Sequence, residues 1–106
     1  MASTPPSKLS KVQLQAHIRA VAVESHRVFF TLHALKRMKG RHLSREVVMN
    51  VLRLGRLYRA PEFNRAKGSL ECRMEHFTVG MDIAVVVAVS DDDPDLLVIT
   101  AMPTGN

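Results

Sequence analysis

The chain has 106 residues, 46% of them hydrophobic and only 5% aromatic, with a net charge of +5. That length suits a single domain with a modest core built from Val, Leu, Ile, Met and Ala. The one cysteine, Cys72, excludes an intramolecular disulfide and fits a reducing cytoplasm, while the longest apolar run, Ile83 to Val89, is far short of the roughly 20 residues that cross a bilayer.

Charge is unevenly distributed. Residues 1–68 carry 14 Lys/Arg against three acids, a net +11, whereas residues 69–106 carry one Arg against seven acids, a net −6. A basic surface is therefore expected from the first part, and nucleic acid is the commonest polyanionic partner for one.

Residues 1–8 read as a Pro- and Ser-rich flexible tail with no secretory-signal pattern, and residues 9–106 as one α+β domain. Ser10 and Gln13 form a capping box with Leu9 and Leu14 as its staple, starting a helix that runs to about Glu24. Its apolar stripe is Leu14, Ile18, Val21 and Ala22, with His17 at the edge. Val28-Phe29-Phe30 is either a short strand or an apolar lead-in to the next helix.

From Thr31 to about Lys39 the period is helical. Leu32, Ala34, Leu35 and Met38 are expected on one side, and His33, Lys36, Arg37 and Gly40 on the other. After a turn through Gly40 to Leu43, Ser44 caps a further helix ending at Gly55, with Val47, Val48, Val51, Leu52 and Leu54 as its buried face. Then the pattern alternates: a short edge strand over Arg56 to Ala60, a basic loop Arg65-Ala66-Lys67-Gly68, a strand from Leu70 to Val79, and a turn at Gly80. Met81 to Val89 reads as a central strand and Leu96 to Met102 as the last one. The predicted fold is N-terminal helices packed on a four-stranded, mainly antiparallel sheet.

The segment HALKRMKGRHLS, residues 33–44, holds two histidines, four Lys/Arg and no acid. His33 and Arg37 are four apart, one above the other on a helix face. Imidazole transfers protons near neutrality and guanidinium grips phosphate in a bidentate fork, so His33 with Arg37 and Arg41 suits cleavage of a phosphodiester without a metal. The acidic turn Asp91, Asp92, Asp93 and Asp95 lacks the spacing of a calcium loop. His76 and Cys72 read as packed residues, and no cofactor or metal site is expected. A different reading takes residues 31–55 as a helix-turn-helix presenting Arg45, Asn50 and Arg53 to a DNA groove. A protein-interaction module is a third.

His33, Ala34, Arg37, Met38, Arg41 and Ser44, followed by Thr100 in the closing strand, resemble domain-of-unknown-function family 4258. The family is similar to the barnase, EndoU, colicin and RelE-like superfamily of small α+β ribonucleases, many of them toxins. The resemblance implies polar site positions at His33, Arg37 and Thr100 and an RNA substrate; with Arg41 from the basic cluster, these are the expected catalytic residues. Besides RNA, an antitoxin-like protein is the partner expected. Lys36, Arg45, Arg56 and Arg59 are the expected substrate contacts. The sequence departs from the family at His42, where Gly is usual, a position whose turn favours Gly if φ is positive.

Overall fold

The computed structural model describes residues 4–104. Met1 to Ser3 of the expected tail lie outside the described residues, while Pro6–Lys8 form a 3₁₀ turn. Ser7 ties that turn to the far end of the chain, its backbone N–H and hydroxyl both donating to the Asp91 carboxylate.

Helix α1 spans Lys11–Val23 and opens on the expected capping box: the Gln13 N–H donates to Ser10 Oγ at 3.2 Å and the Ser10 N–H to Gln13 Oε1 at 3.0 Å. Leu14, Ile18, Val21 and Ala22 are buried. After a 3₁₀ turn at Ser25–Arg27, Val28–Phe30 form strand β1. Helix α2, Leu32–Gly40, is capped by Thr31, and helix α3, Arg45–Leu54, by Ser44.

The buried faces differ from expectation at two leucines. Leu32 is 78% exposed. At about 100° per residue it lies about 40° from Lys36 but about 120° from Met38, so it belongs to the outer side. Leu54 is 58% exposed at the last position of α3, and Met49 takes a buried place instead.

Four further strands were expected and five are formed. Only Arg56–Leu57 of the segment Arg56 to Ala60 pairs, as β2, and Glu62–Asn64 add β3. Strands β4, Ser69–Thr78, β5, Met81–Ser90, and β6, Leu96–Thr104, form the centre. The result is a six-stranded mixed sheet in the order β1-β6-β5-β4-β2, with β3 also on β4. Strand β1 is parallel to β6 and the other pairs are antiparallel. The four-stranded, mainly antiparallel sheet is corrected in this respect: two- and three-residue strands are too short to show a period of two.

Helices α1 and α3 cover one sheet face. Cys72, Met74, Ile83, Val85, Val87 and Val98 are fully buried there with Leu14, Ile18, Val48 and Leu52. Gly55 makes the α3–β2 join possible, since a Cβ there would lie 2.8 Å from the Glu75 carbonyl oxygen and closer still to that of Val51. The second sheet face carries Glu71, Arg73 and Glu75 on β4, with Val86, Ala88 and Ser90 on β5 and Leu97 and Thr100 on β6. No helix covers the charged half of this face, so Glu71, Arg73 and Glu75 keep partial access to water.

Candidate functional site

The β5–β6 register places the site. Val86 pairs with Thr100, but the next residue, Val87, pairs with Val98, leaving Ile99 as an extra residue on β6. Such a bulge bends its strand and re-aims nearby side chains. Here it meets the start of α2. The Thr31 N–H donates to the Val98 carbonyl at 3.1 Å and the Thr31 hydroxyl contacts the Ile99 carbonyl at 3.4 Å. The same hydroxyl accepts the Ala34 N–H at 2.9 Å, so one threonine caps the helix and pins its first turn to the bulge. Ala34 and Met38 bury the inner side of α2, which leaves His33 and Arg37 exposed on its outer side one turn apart.

His33 stands at the rim of a cleft of about 540 Å³ on the second sheet face. Ala88, Leu97 and Ile99 supply its apolar lining, Thr31 and His33 border it from α2, and Lys67, Ser69, Ser90, Asp93 and Asp95 border it from the strand ends. Ser69 is 7% exposed, and its hydroxyl is buried without a hydrogen-bond partner. Both Ser69 and Ser90 come from one pair at the end of the β4–β5 ladder.

The expected catalytic residues fall into two groups. His33 lines the cleft and Arg37 follows it on the helix. Arg41 is half-buried, and its Nη1 donates to the Ala101 carbonyl at 2.8 Å, which binds the end of α2 to β6. Thr100 is half-buried opposite Val86, immediately beyond the bulge and outside the cleft lining. The four expected substrate contacts are dispersed. Lys36 is exposed on α2, while Arg45 lies over the Phe30 ring at 4.7 Å. Arg56 lies beside Tyr58 and Glu75, and Arg59 beside Glu62 and Arg73, at separate depressions.

Lys67, Ser69, Ser90 and Asp93 were not singled out by sequence as site residues. The basic loop signalled Lys67, but only tertiary pairing brings it to the same cleft as His33. The turn after β5 holds its carboxylates by protein donors: Asp91 by Ser7, Asp93 by the Asp95 N–H at 2.9 Å, and Asp95 by Arg27 at 3.1 Å. Ser7's hydroxyl and then its N–H hold the Asp91 carboxyl below its ordinary range. Among the described residues no group of three His, Cys, Asp or Glu is placed to hold a metal ion.

Two other titratable residues are embedded in the fold. Burial pushes the Cys72 thiol up to about 12, which removes its thiolate at neutral pH. Burial, with the nearby Arg27 cation second, lowers the His17 pKa, and its buried Nε2 has no partner. His42, in the turn between α2 and α3, has φ 57°, so the position usually filled by Gly does require the left-handed region. No helix among the described residues is long and apolar enough to cross a membrane.

No curated protein and no solved structure matches the chain. The profile of the family described as Domain of unknown function (DUF4258) matches residues 30–103, from the last residue of β1 through the cleft and into β6, and the chain belongs to that family.

Proposed function

We propose that this protein acts on RNA as a metal-independent endoribonuclease of the toxin type, in the cytoplasm. The observation that carries the reading is the position of His33: an exposed imidazole at the rim of a nucleotide-sized cleft that Lys67 also lines, with the exposed Arg37 one helical turn on. In this mechanism His33 takes the proton of a ribose 2′-hydroxyl as the 2′-oxygen attacks phosphorus. The P–O5′ bond breaks, and the departing 5′-oxygen takes a proton from water. Arg37 and Lys67 bind the phosphoryl oxygens as charge builds on them. Thr31 positions His33 through the helix cap, and Arg41 and Thr100 shape the adjoining rim. A protein partner of antitoxin type would cover this face.

The resemblance to small α+β ribonucleases supports the same reading. The helix-turn-helix alternative is supported less. Of the residues it would send into a groove, Arg53 donates its Nε–H to the Ala22 carbonyl at 2.7 Å and Arg45 lies over Phe30. Both are already used inside the fold.

The test is the product. Single-stranded RNA incubated with the pure protein is expected to be cut in EDTA, to carry 2′,3′-cyclic or 3′-phosphate ends, and to resist where the nucleotide at the cut is 2′-deoxy. RNA left intact over long incubation, or a sequence-specific footprint on duplex DNA, overturns the reading.

A further inference from the structure

We propose that the end of the sheet remote from His33 is a self-association surface, on which a second copy of this chain docks across a two-fold axis; the proposal does not depend on the RNA reading. No aromatic side chain is fully buried. Of the five in the chain, Phe29, Tyr58, Phe63 and Phe77 are each more than half exposed. Two of these, Tyr58 and Phe77, line one depression of about 600 Å³ together with the exposed Leu54. Large apolar groups gathered in this way inside a charged rim mark a docking site, unlike the single scattered residues normal on a monomer, and rigid aromatic rings are the groups enriched at interface centres.

The charges of the rim decide what fits. Strand pairing puts Arg56, Glu75, Phe77 and Asp82 on one sheet face, with Arg56 of β2 opposite Glu75 and Asp82 of β5 opposite Phe77. Phe77, on β4, therefore has a cation on the strand to one side and a carboxylate on the strand to the other. At about 4.8 Å between strands and about 3.3 Å per residue, the backbones of Arg56 and Asp82 are roughly 12 Å apart. Among the described residues neither forms an ion pair, while Glu75 is paired with Arg73 at 3.7 Å. Arg19, also at the depression, is already donating to the Leu54 and Gly55 carbonyls.

A polyanion would meet the Glu75 and Asp82 carboxylates here, and any partner of one charge sign would be repelled at one flank. A second copy meets neither obstacle. With the two-fold axis lying in the interface at Phe77, at right angles to the line from Arg56 to Asp82, each Arg56 faces Asp82 of the second copy. The two Phe77 rings then meet at the centre, with Tyr58 and Leu54 around them. This is the self-complementarity that an isologous contact requires. Ser69 and Ser90, which border the His33 cleft, form the opposite end of the same β4–β5 ladder. They stand eight residues, or about 26 Å, from Phe77, so the dimer leaves both clefts open.

The experiment is sedimentation velocity on the pure protein through the micromolar range, with the fold of each variant checked by circular dichroism. The parent is expected to pass from monomer to dimer as concentration rises. Phe77→Glu, at a largely exposed position, is expected to keep the fold and to weaken association on the order of tenfold or more. Arg56→Asp and Asp82→Arg, each alone, are expected to remain monomeric, since either homodimer sets like charges face to face. Mixed in equal amounts they are expected to form a dimer again, because every facing pair in the mixed dimer is once more opposite in sign. Non-specific apolar association would not give that rescue. A parent that stays monomeric throughout, a dimer that survives Phe77→Glu, or folded single variants that fail to recombine overturns the proposal. Loss of RNA affinity in Phe77→Glu beside a monomeric parent would assign the patch to nucleic acid instead.

Discussion

Helices α2 and α3 follow each other directly, both open on a hydroxyl N-cap, and both turn basic side chains away from the core. In α3 those cations hold the fold together. Arg53 takes up the Ala22 carbonyl near the end of α1, satisfying an acceptor that the helix itself leaves open, and Arg45 covers Phe30. On α2 only Arg41, at the C-cap, is anchored in this way. None of the three ion pairs among the described residues involves α2, and His33, Lys36 and Arg37 are exposed. Basic side chains on two neighbouring helices thus serve cohesion in one and remain available to a polyanion in the other.

The sharpest way to break that contrast uses two histidines. His33 borders the sheet-face cleft, and His26 borders a second cleft of about 570 Å³ between β1 and α3, with Arg45, Asn50 and Arg53. His33→Ala is expected to slow RNA cleavage by on the order of 10² to 10⁴ with RNA affinity nearly unchanged. His26→Ala is expected to cleave like the parent. Equal losses in single-turnover assays would show that the two clefts are not functionally distinct.

A smaller split is expected between the arginines. Arg53→Ala removes a charged donor from a helix-end carbonyl and should lower unfolding free energy by about 1.5–3 kcal/mol, read by urea denaturation. Arg37→Ala should leave stability within about 0.5 kcal/mol. On RNA the order reverses: Arg37→Ala weakens binding and flattens its dependence on salt by about one phosphate contact, while Arg53→Ala binds as before at temperatures where it stays folded. Should Arg37→Ala unfold more easily than Arg53→Ala, the division between the helices is wrong.

The unequal legibility of the molecule follows from the range of each signal. Capping at Ser10 and Ser44 and the stripe Leu14, Ile18, Val21 and Ala22 depend on residues a few positions apart, and they were readable, whereas the Thr31 cap was not singled out. The alternation of β4 was readable for the same reason, with Glu71, Arg73 and Glu75 on the face away from Cys72 and Met74. The parallel pairing of β1 was not, because Val28 meets Leu96 across most of the chain, and the Ile99 bulge exists only in the register with β5. The candidate site divides along that line. His33 and Arg37 share a helical face and could be picked out, whereas the opposite wall, Lys67, Ser69, Ser90 and Asp93, is assembled from separate strand ends.

The smallest expected effects concern two turns with positive φ, one remote from α2 and α3 and one joining them. Val79, φ 47°, precedes Gly80, φ 80°, in the tight connection between Thr78 and Met81. A β-branched residue is strained there, and Asn-Gly is the pair such hairpins favour; Val79→Asn should therefore stabilise by about 1 kcal/mol. His42, φ 57°, costs less to hold because its side chain is not β-branched. Glycine there removes a left-handed penalty of about 1–2 kcal/mol but adds about 0.4–1 kcal/mol of unfolded-chain entropy, so His42→Gly should gain at most about 1 kcal/mol. Because Arg41 is held independently by the Ala101 carbonyl, the gain should come with unchanged RNA cleavage. A stabilised His42→Gly protein that cleaved poorly would instead show that the joint between the helices sets the aim of the α2 face.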